Sequence, residues 1–341
     1  MTNPDKGPEQ YVFGSILIHL RCSNKCVFCD FRLSDSPDDL TQEQEIQLFK
    51  DTAYFYENNF TAIDVSGSEP LRYSKIIPYL HRICSMFKRV IILDPGNSLH
   101  NEQFTKDIVK TGFYNIVIPI YGSTPKVHDS CVCNPGAHGK VIKGLRNLIK
   151  YKLPDQHFEL TSVFLKQNIN DIPKLARFIQ NEYGINSLKI NAPTASEEVE
   201  GIGGKKFSDF NVPFGQIRKA IIKLADIKGM GYDFHYTPLC IFSDKELLML
   251  MKRRGVTFFN MFYTYNLSDT KANQNTCKYV ERYRAQVFHD KCDQCYLKKA
   301  EICLGVRRMH YTANKNYNYN PISKKIYAVI KPIITVMKVN Q

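Results

Sequence analysis

No apolar run in this 341-residue sequence approaches the length needed to cross a bilayer. The first ten residues carry neither the basic-then-apolar order of a secretion signal nor a transit-peptide composition. Internal repeats and low-complexity linkers are absent too. These absences make a cytosolic protein without a transmembrane segment the expectation. Acidic residues are in short supply, 33 against 46 Lys and Arg, for a formal charge of +13. The deficit is concentrated at one end: Lys271 to Gln341 holds 14 basic and 4 acidic residues, a balance of +10. Such a segment suits RNA, an anionic membrane surface or an acidic peptide, and equally a solvated basic face. With 43% hydrophobic residues the chain is long enough for one large domain and a smaller appendage, each with a core.

What the sequence does have is cysteine, eleven in all. An odd number in a reducing compartment argues against a disulfide framework and for metal binding or redox chemistry. Three of them fall within eight positions of "LRCSNKCVFCDF", where Cys22, Cys26 and Cys29 are spaced C-x3-C-x2-C.

The surrounding pattern places that cluster. Val12 to Leu20 alternates and reads as a buried strand that runs straight into the cysteines. Thr41 with Gln44 is a capping-box signature for a helix reaching about Asn58. Strand then helix recurs at 61–66 and 74–87, 89–93 and 102–111, 114–121 and 139–150, 158–165 and 172–183, and 187–192 and 214–227. Asp171 reads as an N-cap, with Pro173 in the first turn. Six such units imply a parallel sheet flanked by helices, whose ligands lie at the carboxyl ends of the strands. The polar and glycine-containing segments 21–30, 67–70, 122–136, 167–170 and 193–204 all follow strands, and after Tyr236 the alternation is expected to stop.

A cubane [4Fe–4S] cluster takes one thiolate per iron, so three cysteines leave one iron open to a small molecule. A zinc knuckle with a distant fourth ligand and cysteines buried for packing are the competing readings. Cys22-x3-Cys26-x2-Cys29 after a first strand, with Phe28 directly before the third cysteine, resembles the cluster motif of radical S-adenosylmethionine enzymes. "GSEP" at Gly67 to Pro70 resembles that superfamily's GGEP motif, with Ser68 in place of the second glycine; close backbone approach survives there if Ser68 needs no positive φ. "IPIYGSTPKVHD" and "LKQNINDI", after the fourth and fifth strands, are similar to further segments of these proteins. The resemblance implies an α/β fold, a partial (β/α)6 TIM-like barrel with a small C-terminal cysteine-rich extension. It implies a [4Fe–4S] cluster on Cys22, Cys26 and Cys29, with S-adenosylmethionine chelating the open iron and broken to a 5′-deoxyadenosyl radical. It also implies that Phe28 packs by the adenine, that Gly67, Ser68 and Glu69 flank the methionyl end, that Pro70 fixes the loop's exit and that Asn168 contacts the cofactor.

Beyond the barrel, Cys240 and Cys292-x2-Cys295-x7-Cys303 offer four ligands, with Cys277 competing for the place of Cys240. They resemble the SPASM and twitch extensions that carry auxiliary clusters, although the spacing departs from the SPASM pattern. A second [4Fe–4S] cluster, a structural zinc and free thiols remain open, since C-x2-C suits both metals. Cys131 and Cys133 with His128 and His138 read either as a hydrogen donor and relay or as incidental loop residues, Cys84 as core, and His19 as a satisfied interior histidine. The divisions expected are a polar segment 1–11, the core barrel 12–236, the cysteine-rich extension 237–312 and a basic, apolar tail 313–341. The tail is broken by Pro332 and expected to pack back across the barrel or to be partly disordered, with a membrane or partner surface as the alternative.

The leading expectation is an enzyme that takes hydrogen from a peptide or protein side chain, with an electron donor of the flavodoxin or ferredoxin kind. Since the first strand starts close to residue 12, peptide recognition is expected from the extension or a separate protein. Radical modification of RNA or a small molecule is the alternative, and a non-catalytic metal protein binding an acidic partner is a third.

Overall fold

The computed structural model describes residues 13–29, 36–193, 206–253, 255–259, 286–299, 303, 306–307, 314, 316–331 and 334–335. Cys277, Asp30, residues 1–11 and most of 193–204 lie outside the described residues. By contacts the chain divides into two compact units. One holds residues up to 23, 33–119 and 139–159; the other holds 24–32, 120–138 and 160 onward.

In the first unit, β1 (Phe13–Ile18) leads by way of residues 19–41 into α1 (Gln42–Glu57). The capping box predicted there is present: the Gln44 N–H donates to Thr41 Oγ1 and the Thr41 N–H to Gln44 Oε1. Such a cap is worth about 1 kcal/mol and fixes where the helix starts. Then come β2 (Ala62–Gly67), α2 (Ile76–Met86), β3 (Arg89–Leu93), α3 (Glu102–Lys110) and β4 (Asn115–Pro119). β1 pairs with β2, β2 with β3 and β3 with β4, all parallel. Alternate residues Ile16, Ile18, Ile63, Val65, Val90, Ile92, Ile116 and Ile118 are buried. Their neighbours Ser15, Leu17, Asp64, Ser66 and Ile91 are half-buried on the opposite face.

α4 (Pro125–Val132), in the second unit, occupies a segment whose polar composition reads as loop, and α5 (Ala137–Tyr151) follows. β5 (His157–Val163), α6 (Ile172–Tyr183), β6 (Ser187–Asn191), α7 (Phe207–Phe210), α8 (Phe214–Ala225), β7 (Gly231–His235), α9 (Asp244–Met251) and β8 (Val256–Phe259) continue the chain. β9 (Gln286–Val287), α10 (Tyr296–Lys299), β10 (Val306–Arg307), α11 (Lys324–Ile330) and β11 (Ile334–Thr335) complete it. Strands β5 to β8 pair in parallel, β11 adds to β8 in parallel, and β9 and β10 form a separate antiparallel ribbon.

The hydrogen-bonded order β1-β2-β3-β4-β5-β6-β7-β8-β11 is sequential with free ends, an open parallel α/β sheet. The expected six strand–helix units are present, but the alternation does not stop at Tyr236. β7 precedes it, and α9 and β8 follow. Segment 244–251 carries its own start signal, a capping box between Ser243 and Glu246, which the return of cysteines in the sequence obscures. Asp171 stands at the N-cap position of α6, but its carboxylate does not cap the helix; it accepts from the Ser123 N–H and hydroxyl instead, at 2.6 and 2.9 Å. No helix among the described residues is long and apolar enough to cross a membrane.

Candidate active site

In the first unit, three loops at the carboxyl ends of β1, β2 and β3 are joined by a closed set of hydrogen bonds. Glu69, only 1% exposed, accepts from both the N–H and the hydroxyl of Ser23, each at 2.8 Å. Asn97 Nδ2 donates to Ser23 Oγ at 2.9 Å. Asp94 accepts from the Leu71 N–H at 2.9 Å and the Gly96 N–H at 2.7 Å. The residue next to Cys22 is thereby tied to the "GSEP" loop, and that loop to the turn after β3. Burial, then the neighbouring Glu69 carboxylate, pushes Asp94 up to about 7.

The departure from the GGEP pattern has a physical answer. Gly67 takes φ +126°, and a Cβ there would lie 2.2 Å from the Ile18 carbonyl oxygen, so this position admits only glycine. Ser68 is not among the residues with positive φ. Its hydroxyl accepts from the Leu20 N–H at 2.8 Å and donates to the Leu20 carbonyl at 2.6 Å, pinning the loop to the end of β1. Pro70 opens a short 3-10 turn over Pro70–Arg72 and is buried.

Residues 24–29, which carry Cys26 and Cys29, belong to the second unit and rest on the end of α4. The last carbonyls of a helix lack partners within it. Here the N–H groups of Lys25 and Val27 donate to the Val132 and Cys131 carbonyls at 2.8 and 3.0 Å, and Asn134 Nδ2 donates to Asn24 Oδ1 at 2.8 Å. α4 stops because Cys133 adopts the left-handed conformation, φ 48° and ψ 42°. Beneath the loop Val27, Tyr121, Cys131, Val132, Ala137, Leu165 and Phe210 form one apolar cluster, with Cys26 and Phe28 packed against it. Phe28 meets Tyr121 edge-on, with centroids 5.1 Å apart. Asn168 donates to the Tyr121 and Val163 carbonyls and accepts from the Leu165 N–H, so its amide braces the loops around Tyr121.

Cys131 is fully buried and burial pushes its thiol up to about 12, whereas Cys133 is exposed. Burial, then His138, pushes His128 down to about 4, and its Nδ1 accepts the Tyr121 N–H. His128 is therefore neutral at ordinary pH and fixed beside Tyr121.

The C-terminal cysteines are also in the second unit. Cys295 is buried, and its sulfur accepts the Ile322 N–H at 3.4 Å. The Asn320 N–H donates to the Cys240 carbonyl and the Tyr296 N–H to that of Ile322. Burial, then Cys303, Cys292 and Cys295 in turn, pushes the Cys240 thiol well up, so these four thiols feel one another. The tail does pack back: Ile322 and Ile330 are buried, and β11 extends the sheet.

Cys22, Cys26 and Cys29 are all half-buried, and none of the three is in a disulfide. Among the described residues no three His, Cys, Asp or Glu side chains are drawn together at metal-ligand distances. The chemistry of the donor set nonetheless fits an iron–sulfur cluster, with three soft thiols at a strand's carboxyl end and a glycine-only approach in the neighbouring loop. Sequence reasoning missed Ser23, Asp94 and Asn97. Each is a single polar residue in a loop, and only "DPGN" at 94–97, a turn signature after a strand, marks two of them, Asp94 and Asn97.

An open parallel sheet with such loops at its strand ends defines a partial-barrel α/β protein. Residues 16–179 match the Radical SAM superfamily, a match that implies a [4Fe–4S] cluster and S-adenosylmethionine. No curated protein matches the chain. Among solved structures it is similar to Streptococcus suis SuiB bound to S-adenosylmethionine, with 16% identity, TM-score 0.56, and 92% of this chain and 76% of that one covered. It is also similar to anSMEcpe with bound AdoMet and the Cp18Cys peptide, with 14% identity, TM-score 0.58, and 94% and 96% covered. Against two further SuiB structures, at TM-scores 0.49 and 0.48, the chain spans about half their length, 45% and 49%. At these identities the likeness is one of fold.

Proposed function

We propose that this protein is an enzyme that cleaves S-adenosylmethionine reductively and takes hydrogen from a peptide or protein side chain. The observation that carries the reading is the three-thiol loop after β1, next in the sheet to a β2 loop whose Gly67 excludes any side chain. Cys22, Cys26 and Cys29 would hold the cluster, leaving one iron for the cofactor. When bound, the pair supplies a one-electron cleavage of the sulfonium carbon–sulfur bond that yields a 5′-deoxyadenosyl radical.

The chain's own residues bind and orient. Gly67 opens its backbone to the methionyl end, Ser68 and Pro70 hold that loop's shape, and Glu69 keeps Ser23 in place beside Cys22. Phe28 and Asn168, both anchored on Tyr121, would complete the cofactor's surroundings. The peptide class is supported by fold alone, through the likeness to a protein solved with a bound peptide. A flavodoxin- or ferredoxin-like protein would supply the electron. Cys240, Cys292, Cys295 and Cys303 would hold a second cluster, supported by the N–H donated to Cys295 and by the mutual influence of the four thiols.

The test is anaerobic reconstitution with iron and sulfide, a low-potential reductant and S-adenosylmethionine, with 5′-deoxyadenosine measured as product. Release of 5′-deoxyadenosine is expected; none, from protein that carries iron, overturns the reading. Iron counting expects two clusters. One cluster accompanied by stoichiometric zinc would make the extension a zinc module.

A further inference from the structure

The inner faces of β6, β7 and β8 are polar where a filled barrel would be apolar. Leu188, Ile190, Tyr232, Phe234, Val256 and Phe258 are buried on one face of these strands. The alternate residues Lys189, Asn191, Asp233 and Thr257 are half-buried on the other, and His235 ends β7 on the same face. Barrel interiors are ordinarily packed with branched aliphatic side chains.

These polar residues are in register. Lys189 pairs with Asp233 and Asp233 with Thr257 across the three strands, and one step nearer the carboxyl ends Asn191 pairs with His235. His235 Nε2 lies 2.8 Å from Asp233 Oδ2, and the Thr257 hydroxyl donates to Asp233 Oδ1 at 2.9 Å. Burial alone would raise Asp233, but His235, Thr257 and Lys189 outweigh it and hold the carboxyl below its usual range, so it stays ionised. Beside them Asn191 Oδ1 is buried with no hydrogen-bond partner among the described residues. A buried carbonyl left unpaired costs about 1–3 kcal/mol, so its persistence points to a donor that comes from outside the fold.

We propose that Lys189, Asn191, Asp233 and His235 form a substrate-binding site that takes a peptide group. Its N–H would be accepted by Asn191 Oδ1, and its carbonyl would face the Lys189 ammonium. Lys189 and Asp233 cancel in charge, which favours a neutral group that donates and accepts over an anion or a cation. His235 and Thr257 hold Asp233 in its rotamer and are positioning residues. The proposal deepens the peptide reading above and rests on it for the substrate's class.

The test is equilibrium dialysis of labelled acetyl-triglycine-amide, which offers main-chain peptide groups and no side chains, against the reconstituted full chain. Saturable binding is expected, weakened about 5-fold or more in both Asn191→Leu and Lys189→Met. Asn191→Asp keeps an acceptor, and is expected to bind better than Asn191→Leu, which a merely structural role would not produce. Thermal midpoints of all variants show whether they fold. Absence of saturable binding to the wild-type chain, or equal binding by folded Asn191→Leu, overturns the proposal. Dialysis requires no turnover, so failure of S-adenosylmethionine cleavage leaves this result legible.

Discussion

At the scale of single residues, the β1–β3 loops depend on a few positions whose chemistry allows no substitute. Gly67→Ala would strain a φ of +126° and drive a Cβ onto the Ile18 carbonyl. A loss of about 1–3 kcal/mol is expected in denaturant unfolding, with weaker S-adenosylmethionine binding. Ser23→Ala removes a hydroxyl that serves Glu69 and Asn97 together, and about 1–3 kcal/mol is again expected because the Glu69 carboxylate is buried. Asp94 sets a pH dependence. Its proton is held at about 7 in the folded chain against about 3.9 in the unfolded one, so the folded state binds it more tightly. Asp94 therefore contributes its stability fully below about pH 4 and loses it as pH rises through about 7. Denaturant unfolding from about pH 4 to about pH 8 should show this decline, reduced in Asp94→Asn; an identical profile in the variant would count against the assignment.

At the scale of elements, α4 is the support of the cysteine loop rather than part of a plain connection. Its last carbonyls accept from Lys25 and Val27, so those two amides should exchange slowly with deuterium. Ser130→Pro, at an exposed position inside the helix, should cost about 3 kcal/mol and speed that exchange. Unchanged exchange in a folded Ser130→Pro chain would show that the loop stands without the helix. Elements with strong periodicity or caps, such as α1, β3 and α6, were legible in the sequence to within a residue or two. α4 was not, because Cys131 and Cys133 and the flanking Gly and Pro gave it a loop's composition while its apolar side, Val127, Cys131 and Val132, was too short to show a period. β7 was missed because "GYDFH" alternates for only five residues and its inner face is polar. The three thiols were marked by their spacing, and Gly67 by the resemblance of "GSEP" to a family motif. The roles of Ser23, Asp94 and Asn97 could not be read from the sequence, since what joins them to their partners is contact across sequence separations of 46, 23 and 74 residues.

At the scale of the whole molecule, the stretch 16–179 that matches the Radical SAM superfamily is followed by a continuation of the sheet through β7, β8 and β11, with cysteines returning in the chain's last third. The central claim is that Cys22, Cys26 and Cys29 together make the chemistry possible, and that other cysteines do not. The direct measurement is 5′-deoxyadenosine released from S-adenosylmethionine under anaerobic reducing conditions by Cys22→Ala, Cys26→Ala and Cys29→Ala. Cys84→Ala serves as control, since burial pushes that thiol up to about 12 and it lies in α2, away from the strand ends. Release is expected from the wild-type chain and the control and from none of the three variants. Release at the wild-type rate from any one of them would contradict the assignment of the three-cysteine loop.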